Sequence, residues 1–272
     1  MINMTFDLPQ LLVGLGLAIV LALISYRFKA LSISGALGTI AIGTLVFGLG
    51  GWLCAVPLLV FFITSSVLSR IRSEIKLQSI KTIEKAGPRD IKQVFANGGV
   101  ATICLVVLLL INDDRWYVLY LASLGVAAAD TWATEIGTLL SGKPVSIISW
   151  AKVPPGQSGG ISLPGTIASL LGSMATVFSI LPLDAIPGSF GFLLLASCAG
   201  FIGSLIDSFL GATVQAAYRC NLCGAIVESQ SHCGQQSTRI KGISFINNDM
   251  VNFLSNLIAV GLLAFALFYG EP

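Results

Sequence analysis

The chain has 272 residues, 55% of them hydrophobic and only 10% charged, with a formal net charge of +2 and a mean hydropathy of +0.88. Soluble domains carry about 25% charged residues, so this balance excludes a soluble enzyme, argues against nucleic acid as a partner, and indicates an integral membrane protein. Its longest polar stretches, about 30 to 40 residues, fall short of the roughly 50 that a separate domain needs. The expectation for 1–272 is therefore a single integral membrane domain, an all-α polytopic transmembrane bundle.

Runs long enough to cross about 30 Å of hydrocarbon lie near 8 to 26, 33 to 49, 52 to 69, 95 to 111, 116 to 140, 161 to 181, 190 to 212 and 250 to 269. About eight spans are expected, or seven if the short run at 95 to 111 does not cross. The second and third runs touch at Gly50-Gly51 and read as a hairpin or a re-entrant pair. The first run has no basic residues ahead of it and no cleavage site after it, so it is expected to remain as a span. Cytoplasmic loops carry excess Lys and Arg. With eight spans, 14 of the 15 basic residues fall on one side and only Arg115 on the other. Both termini are then expected outside, with cytoplasmic loops at about 70–94, 141–160 and 213–249. In the first of these loops, Arg70 to Gln93 spaces Ile71, Ile75, Leu77, Ile80 and Ile83 among basic residues at roughly helical intervals. Two readings fit it: a helix lying at the headgroups, or cations that help hold an anionic phosphate. Asn97-Gly98-Gly99 follows, where two glycines allow a ligand close to the backbone.

The apolar pattern breaks most sharply at Asp130, Thr131, Thr134 and Glu135. A carboxylate in or near hydrocarbon costs several kcal/mol unless paired, solvated or cation-bound, which makes it a functional candidate. Residues four apart share a helix face, so Asp130 stacks with Thr134 and Thr131 with Glu135. The loop that follows offers Gly156, Gln157, Ser158, Gly159 and Gly160, then Ser162, Gly165 and Thr166 where the apolar run resumes. Exposed backbone N–H groups beside a helix N-terminus suit an anion; a flexible connector is the plainer alternative. Further along, Gly200, Ser204, Asp207, Ser208 and Gly211 form a small, polar stripe suited to close helix packing. Asn248, Asn252 and Asn256 share one face of the last span beside Asp249. Carboxylates with amide oxygens suit Mg2+, which also takes phosphate oxygens and water. Asp130, Glu135, Asp207 and Asp249 thus gather near one leaflet.

Of six cysteines, Cys54, Cys104 and Cys198 lie in apolar runs and are expected to be small core residues. Cys220, Cys223 and Cys233 share a polar loop with His232, the only histidine. Thiolates and imidazole at this spacing can complete a structural Zn2+ site. The plain alternative is a reduced polar loop.

Several long motifs, AAADTWATEIG, PGQSGGIS with LPGT, GSLIDSFLGATVQ, and CNLCG through SHCG to NNDMVN, resemble the transmembrane protein 19 family, also called domain of unknown function 92. The likeness runs from about Gly35 nearly to the end of the chain. In plants and cyanobacteria that family includes the phytyl-phosphate kinase of tocopherol synthesis. The acid-then-glycine order is also similar to CTP-dependent phytol and dolichol kinases and to phosphatidate cytidylyltransferases. Here Ala129 stands where those kinases have glycine, and GGISLPGT replaces their lysine-serine loop. The resemblance implies a prenyl phosphate kinase that moves the γ-phosphoryl group of a nucleoside triphosphate, CTP favoured, to a prenyl monophosphate in the bilayer. It implies Mg2+ on Asp130, Asp207 and Asp249, with Glu135 on a second metal or orienting a cation. Phosphates would meet the glycine loop, Asn97, Thr131, Thr134, Ser208, Asn248 and Asn252, with Lys143, Lys152 or Arg239 as cations. Two rivals stay open: a lipid-phosphate cytidylyltransferase, and a transporter built from broken spans with intramembrane acids.

Overall fold

A computed structural model describes residues 7–71, 87–140, 143–183 and 190–270. Most of the Arg70 to Gln93 stretch, 72–86, therefore lies outside the described residues. Six helices are long and apolar enough to cross a membrane: α1 (Leu8–Arg27), α2 (Ile33–Leu68), α3 (Ile91–Ile111), α5 with its 3-10 extension (Leu163–Leu183), α6 (Phe190–Thr213) and α7 (Asn248–Tyr269). Between α3 and α5 lies α4 (Arg115–Leu140). All eight expected runs are thus helical, because α2 is two helices joined at Gly51, whose φ of 56° and ψ of −151° are not helical. Such a backbone suits glycine alone. The joint is a reversal. The Gln10 amide, at the start of α1, donates to Phe47 and Gly48 just before Gly51, whereas Arg70, beyond the second half, reaches back to the Phe28 carbonyl at the end of α1.

Small residues set the helix spacing. On α1 the buried positions are Gly14, Ala18, Ala22 and Ser25, while Leu12, Val13, Val20 and Leu23 point outward and are more than half exposed. That is the pattern of a helix with one packed stripe and a lipid-facing remainder. A Cβ at Gly48 would sit 2.4 Å from the Leu11 side chain, and one at Gly43 would sit 3.0 Å from Ala18.

The centre of the bundle is α4, where every residue from Tyr117 to Ala129 is buried. Its Tyr117 hydroxyl donates to the Leu53 carbonyl at 2.8 Å. That carbonyl's helical partner would be the amide of residue 57, which is proline and has no N–H. Nearby, Gly125 of α4, Ser173 of α5 and Gly200 of α6 meet so closely that a Cβ at Gly200 would lie 2.0 Å from Ser173 Oγ. The Asn256 amide on α7 donates to Ser123 O at 3.0 Å in the buried centre.

At one end of the bundle the loops interlock. Arg89 pairs its backbone with Ala30 and Ser32, over Gly35, where any Cβ would meet the Arg89 carbonyl at 2.0 Å. Asp90 then caps α3 by accepting from Gln93 N, so that helix starts earlier than the apolar run alone implies. Short antiparallel strands occupy the other loops: β1 (Val145–Ser146) with β2 (Gly160–Ile161) before α5, and β3 (Ala217–Arg219), β4 (Ile226–Val227), β5 (Ser231–His232), β6 (Gln235–Gln236) and β7 (Thr238–Lys241) between α6 and α7. The latter form a sheet of order β4-β3-β7 and a separate β5-β6 hairpin. At the opposite end, Arg115 and Asp113 form an ion pair at 2.5 Å. That bond holds the Asp113 carboxyl below its ordinary pKa.

Candidate functional site

The interlocked end encloses a cleft of about 370 Å³, within the usual range for small-molecule sites. Its floor is made by α4 and α6. Asp130 and Asp207 project from these facing helices and lie within hydrogen-bonding reach of each other. Two adjacent carboxylates cannot both stay ionised without a proton or a cation between them. Asp207 is further held by α7: Ser255 Oγ donates to its Oδ2 at 2.9 Å, and the Asn252 amide, turned so that its nitrogen faces the acid, donates at 3.1 Å to Asp207 Oδ2 and to Asn248 O.

One wall is the loop between β1 and β2. Gly156 and Gly159 take φ of 80° and 84°, and Gly159 lies so close to α6 that a Cβ would sit 2.4 Å from Ala212. Ser162 closes this wall as the N-cap of α5, accepting from Gly165 N at 3.2 Å. The α4 and α5 backbones approach closely here, since a Cβ at Gly165 would lie 2.9 Å from Ala133 O. The second wall comes from Ser69, Arg89, Gln93 and Asn97. Ser69 donates to Glu135 at 2.6 Å, and Glu135 acts on the half-buried Arg89, whose pKa burial lowers. Across the mouth, Glu228 of the β-rich lobe accepts from the Ser158 hydroxyl.

A second, apolar pocket of about 50 Å³ lies between α1, α2 and α3, lined by Leu21, Ile42, Leu58, Leu59, Phe61 and Phe62. It shares Arg89, Gln93 and Asn97 with the polar cleft. A polar chamber and an apolar one therefore meet at an arginine and two amides.

Residues 16–260 match the family described as Integral membrane protein DUF92. The chain belongs to the DUF92 family. Among relatives of this DUF92 protein, Protein PGR of Arabidopsis thaliana is 28% identical over 90% of this chain and 92% of its own. Uncharacterized membrane protein MJ0933 of Methanocaldococcus jannaschii is 31% identical over 75% of this chain and 83% of its own. Protein VTE6, chloroplastic, of Arabidopsis thaliana is 24% identical over 87% of this chain and 66% of its own. No solved structure matches the DUF92 chain.

The DUF92 fold brings most of the sequence candidates into one cleft. Asp130, Thr131, Thr134 and Glu135 line it from α4, Asp207 and Ser208 from α6, Asn248 and Asn252 from α7, and Asn97 from α3. Gly156, Gln157, Ser158, Gly159 and Gly160 line it from the loop, followed by Ser162, Gly165 and Thr166. Thr131 spends its hydroxyl on Ala127 O. Asp249 lies apart, buried in the first turn of α7, while its neighbours Asn248 and Asn252 face the cleft. Lys143, Lys152 and Arg239 are exposed and do not line it; long cations in open loops keep their hydration. Among the described residues, Arg89 is the basic side chain that does. The sequence offers Arg89 only as one of several basic residues in the Arg70 to Gln93 stretch, one reading of which is cations that hold a phosphate, and gives Ser69, Gln93, Glu228 and Ser255 no role at the site. The capping aspartate beside Arg89, directly before an apolar run, was the available signal; for Glu228 no local signal exists.

Cys220, Cys223, His232 and Cys233 also converge, with one ligand atom from each within 4.8 Å of the others.

Proposed function

We propose that this protein is a prenyl phosphate kinase, using a nucleoside triphosphate, CTP favoured, to convert a membrane-held isoprenoid monophosphate such as phytyl phosphate to its diphosphate. The observation that carries the reading is the shared wall. A polar cleft with two facing carboxylates and a glycine-rich loop shares Arg89, Gln93 and Asn97 with a small apolar pocket among lipid-facing helices. That junction suits a phosphate head on one side and an isoprenoid tail on the other. The family resemblance supports the same reaction.

Phosphoryl transfer needs positioning and charge neutralisation more than covalent chemistry. An oxygen of the prenyl monophosphate attacks the γ-phosphorus, the new O–P bond forms, the bond from the γ-phosphorus to the β,γ-bridging oxygen breaks, and the nucleoside diphosphate leaves. The acceptor is already an ionised phosphate, so no base has to deprotonate it. Arg89 would take the prenyl phosphate where the two chambers meet, with Glu135 and Ser69 fixing its orientation. Backbone amides of 156–160 and the α5 N-terminus would hold the nucleotide phosphates. The oxygen-rich donors Asp130 and Asp207, with Asn248 and Ser208 beside them, fit Mg2+, which when bound neutralises charge on the phosphates. Ser255 and Asn252 would keep the Asp207 carboxylate aimed at its ligand, as outer-shell partners do. The loop ends that form the cleft carry most of the basic residues, which supports a cytoplasmic site.

The test is product mass. Purified protein with prenyl monophosphates, each common nucleoside triphosphate and Mg2+ is expected to form the prenyl diphosphate. A CDP-lipid with pyrophosphate release would identify a cytidylyltransferase instead. No lipid product with any donor, together with flux in liposomes, would identify a transporter.

A further inference from the structure

We propose that Cys220, Cys223, His232 and Cys233 bind a structural zinc ion that holds the lobe between α6 and α7 together. The geometry comes first. His232 Nδ1 lies 3.5 Å from Cys223 Sγ and 3.2 Å from Cys233 Sγ, and those two sulfurs are 3.9 Å apart. Zinc–sulfur bonds of about 2.3 Å and zinc–nitrogen bonds of about 2.0–2.1 Å at tetrahedral angles place ligand pairs about 3.5–3.8 Å apart. Cys223, His232 and Cys233 are nearly at those separations, Cys220 Sγ lies within 4.8 Å of all three ligand atoms, and all three thiols are free.

The backbone is shaped for this use. Cys220 and Cys223 sit in the turn that joins β3 to β4, closed by Gly224 N donating to Cys220 O at 3.0 Å. His232 ends β5 and Cys233 begins the turn that joins it to β6. Gly224 and Gly234 take φ of 72° and 74°, and Cys233 itself takes 53°. A Cβ at either glycine would meet nothing within 4 Å. Cys233 and Gly234 are the two loop residues of the β5-β6 hairpin, a loop type that takes positive φ at both positions, so the turn itself sets the ligand pair at its tip. Two hairpin tips face each other and supply two ligands each.

Stability gives an independent argument. The buried apolar cluster of this lobe is only Ala216, Tyr218 and Val227. Polar segments with so small a core need a staple such as a metal. Four protein ligands leave no open position, which marks a structural rather than a catalytic zinc. Glu228, which grips Ser158 at the mouth of the cleft, lies between the two ligand pairs, so the ion fixes the outer wall of the cleft without touching the chemistry.

Protein purified without chelators is expected to contain about one zinc per chain and to lose it in Cys223→Ala and Cys233→Ala. Cobalt substitution should give the visible ligand-field bands of a tetrahedral thiolate site. Should the variants fail to fold, the wild type decides: mass-resolved alkylation of Cys220, Cys223 and Cys233 should run at least about tenfold faster once a chelator is added, since a metal-bound thiolate is not a free nucleophile. Zinc-free protein whose three thiols react at the same rate with and without chelator would overturn the proposal, as would undiminished zinc in both variants. Neither readout uses nucleotide or lipid, so the result is independent of the kinase reading.

Discussion

The cleft and the cysteine lobe both gather oxygen, nitrogen or sulfur donors at one end of the bundle, yet they are built in opposite ways. In the cleft, Asp130 and Asp207 are 77 residues apart in sequence and meet where Gly125 and Gly200 let α4 and α6 touch backbone to backbone, with the Ser173 side chain of α5 packed against them. In the lobe the four ligands lie within 14 residues, from Cys220 to Cys233, and are set by two local turns. The first site is therefore a property of the packed bundle, whereas the second is written into a short stretch of chain.

The sharpest way to break this contrast is to neutralise the cleft alone. Asp130→Asn or Asp207→Asn is expected to lower turnover by at least about 10²–10³-fold, the scale of losing one group that stabilises transition-state charge, with the zinc content of the lobe unchanged. Loss of zinc from either variant would join the two regions that the account separates.

A glycine pair gives the next comparison. Gly159 and Gly224 both have left-handed backbones, but a Cβ at Gly159 would lie 2.4 Å from Ala212 while one at Gly224 meets nothing within 4 Å. Gly224→Ala should cost only the left-handed penalty of about 1–2 kcal/mol, read as a modest fall in melting temperature. Gly159→Ala should cost more, since the loop must also leave α6, and should raise KM for nucleotide. Equal losses would mean that the loop does not depend on that close approach.

Ser255→Ala removes a donor to Asp207 without touching substrate. A reduction of about 10–100-fold in apparent Mg2+ affinity or activity is expected, as for other outer-shell partners, and Ser255→Thr should restore part of it. An unchanged Mg2+ dependence would remove Ser255 from the account.

Legibility in the sequence followed the same division. The eight helical runs were readable because lipid demands apolar stretches of fixed length, and Gly50-Gly51 marked the reversal. Asp130, Glu135 and Asp207 stood out because acids are rare in such runs, and the cysteine spacing stood out because it is local. Glu228 is not legible, and Arg89 does not stand out from the other cations of its stretch, for the converse reason: each reaches the cleft through tertiary contacts, one by a backbone clamp on residues 30 and 32, the other across a separate lobe. Lys143 and Lys152 drew attention by sequence proximity to the glycine loop, although solvated side chains beside a loop need not turn into it.

The smallest expected effect lies at the far end of the bundle. Arg115 holds the Asp113 carboxyl below its ordinary pKa through their hydrogen bond, so the pair stabilises the fold above the unfolded-state pKa and loses that contribution as pH falls through the folded-state value. Both side chains are partly exposed, and solvent screening keeps the effect small. Thermal unfolding of Asp113→Asn should show a slight loss at neutral pH that vanishes in acid, with turnover unchanged; a deficit that persisted or grew in acid would contradict this.

The most direct test of the central claim is turnover of a prenyl monophosphate by wild type and Asp207→Asn side by side, with Mg2+ and CTP and with lipid products read by mass. The account predicts prenyl diphosphate from the wild type and at least about a hundredfold less from the variant, whose fold and zinc content remain intact. Equal turnover by the two proteins would contradict it.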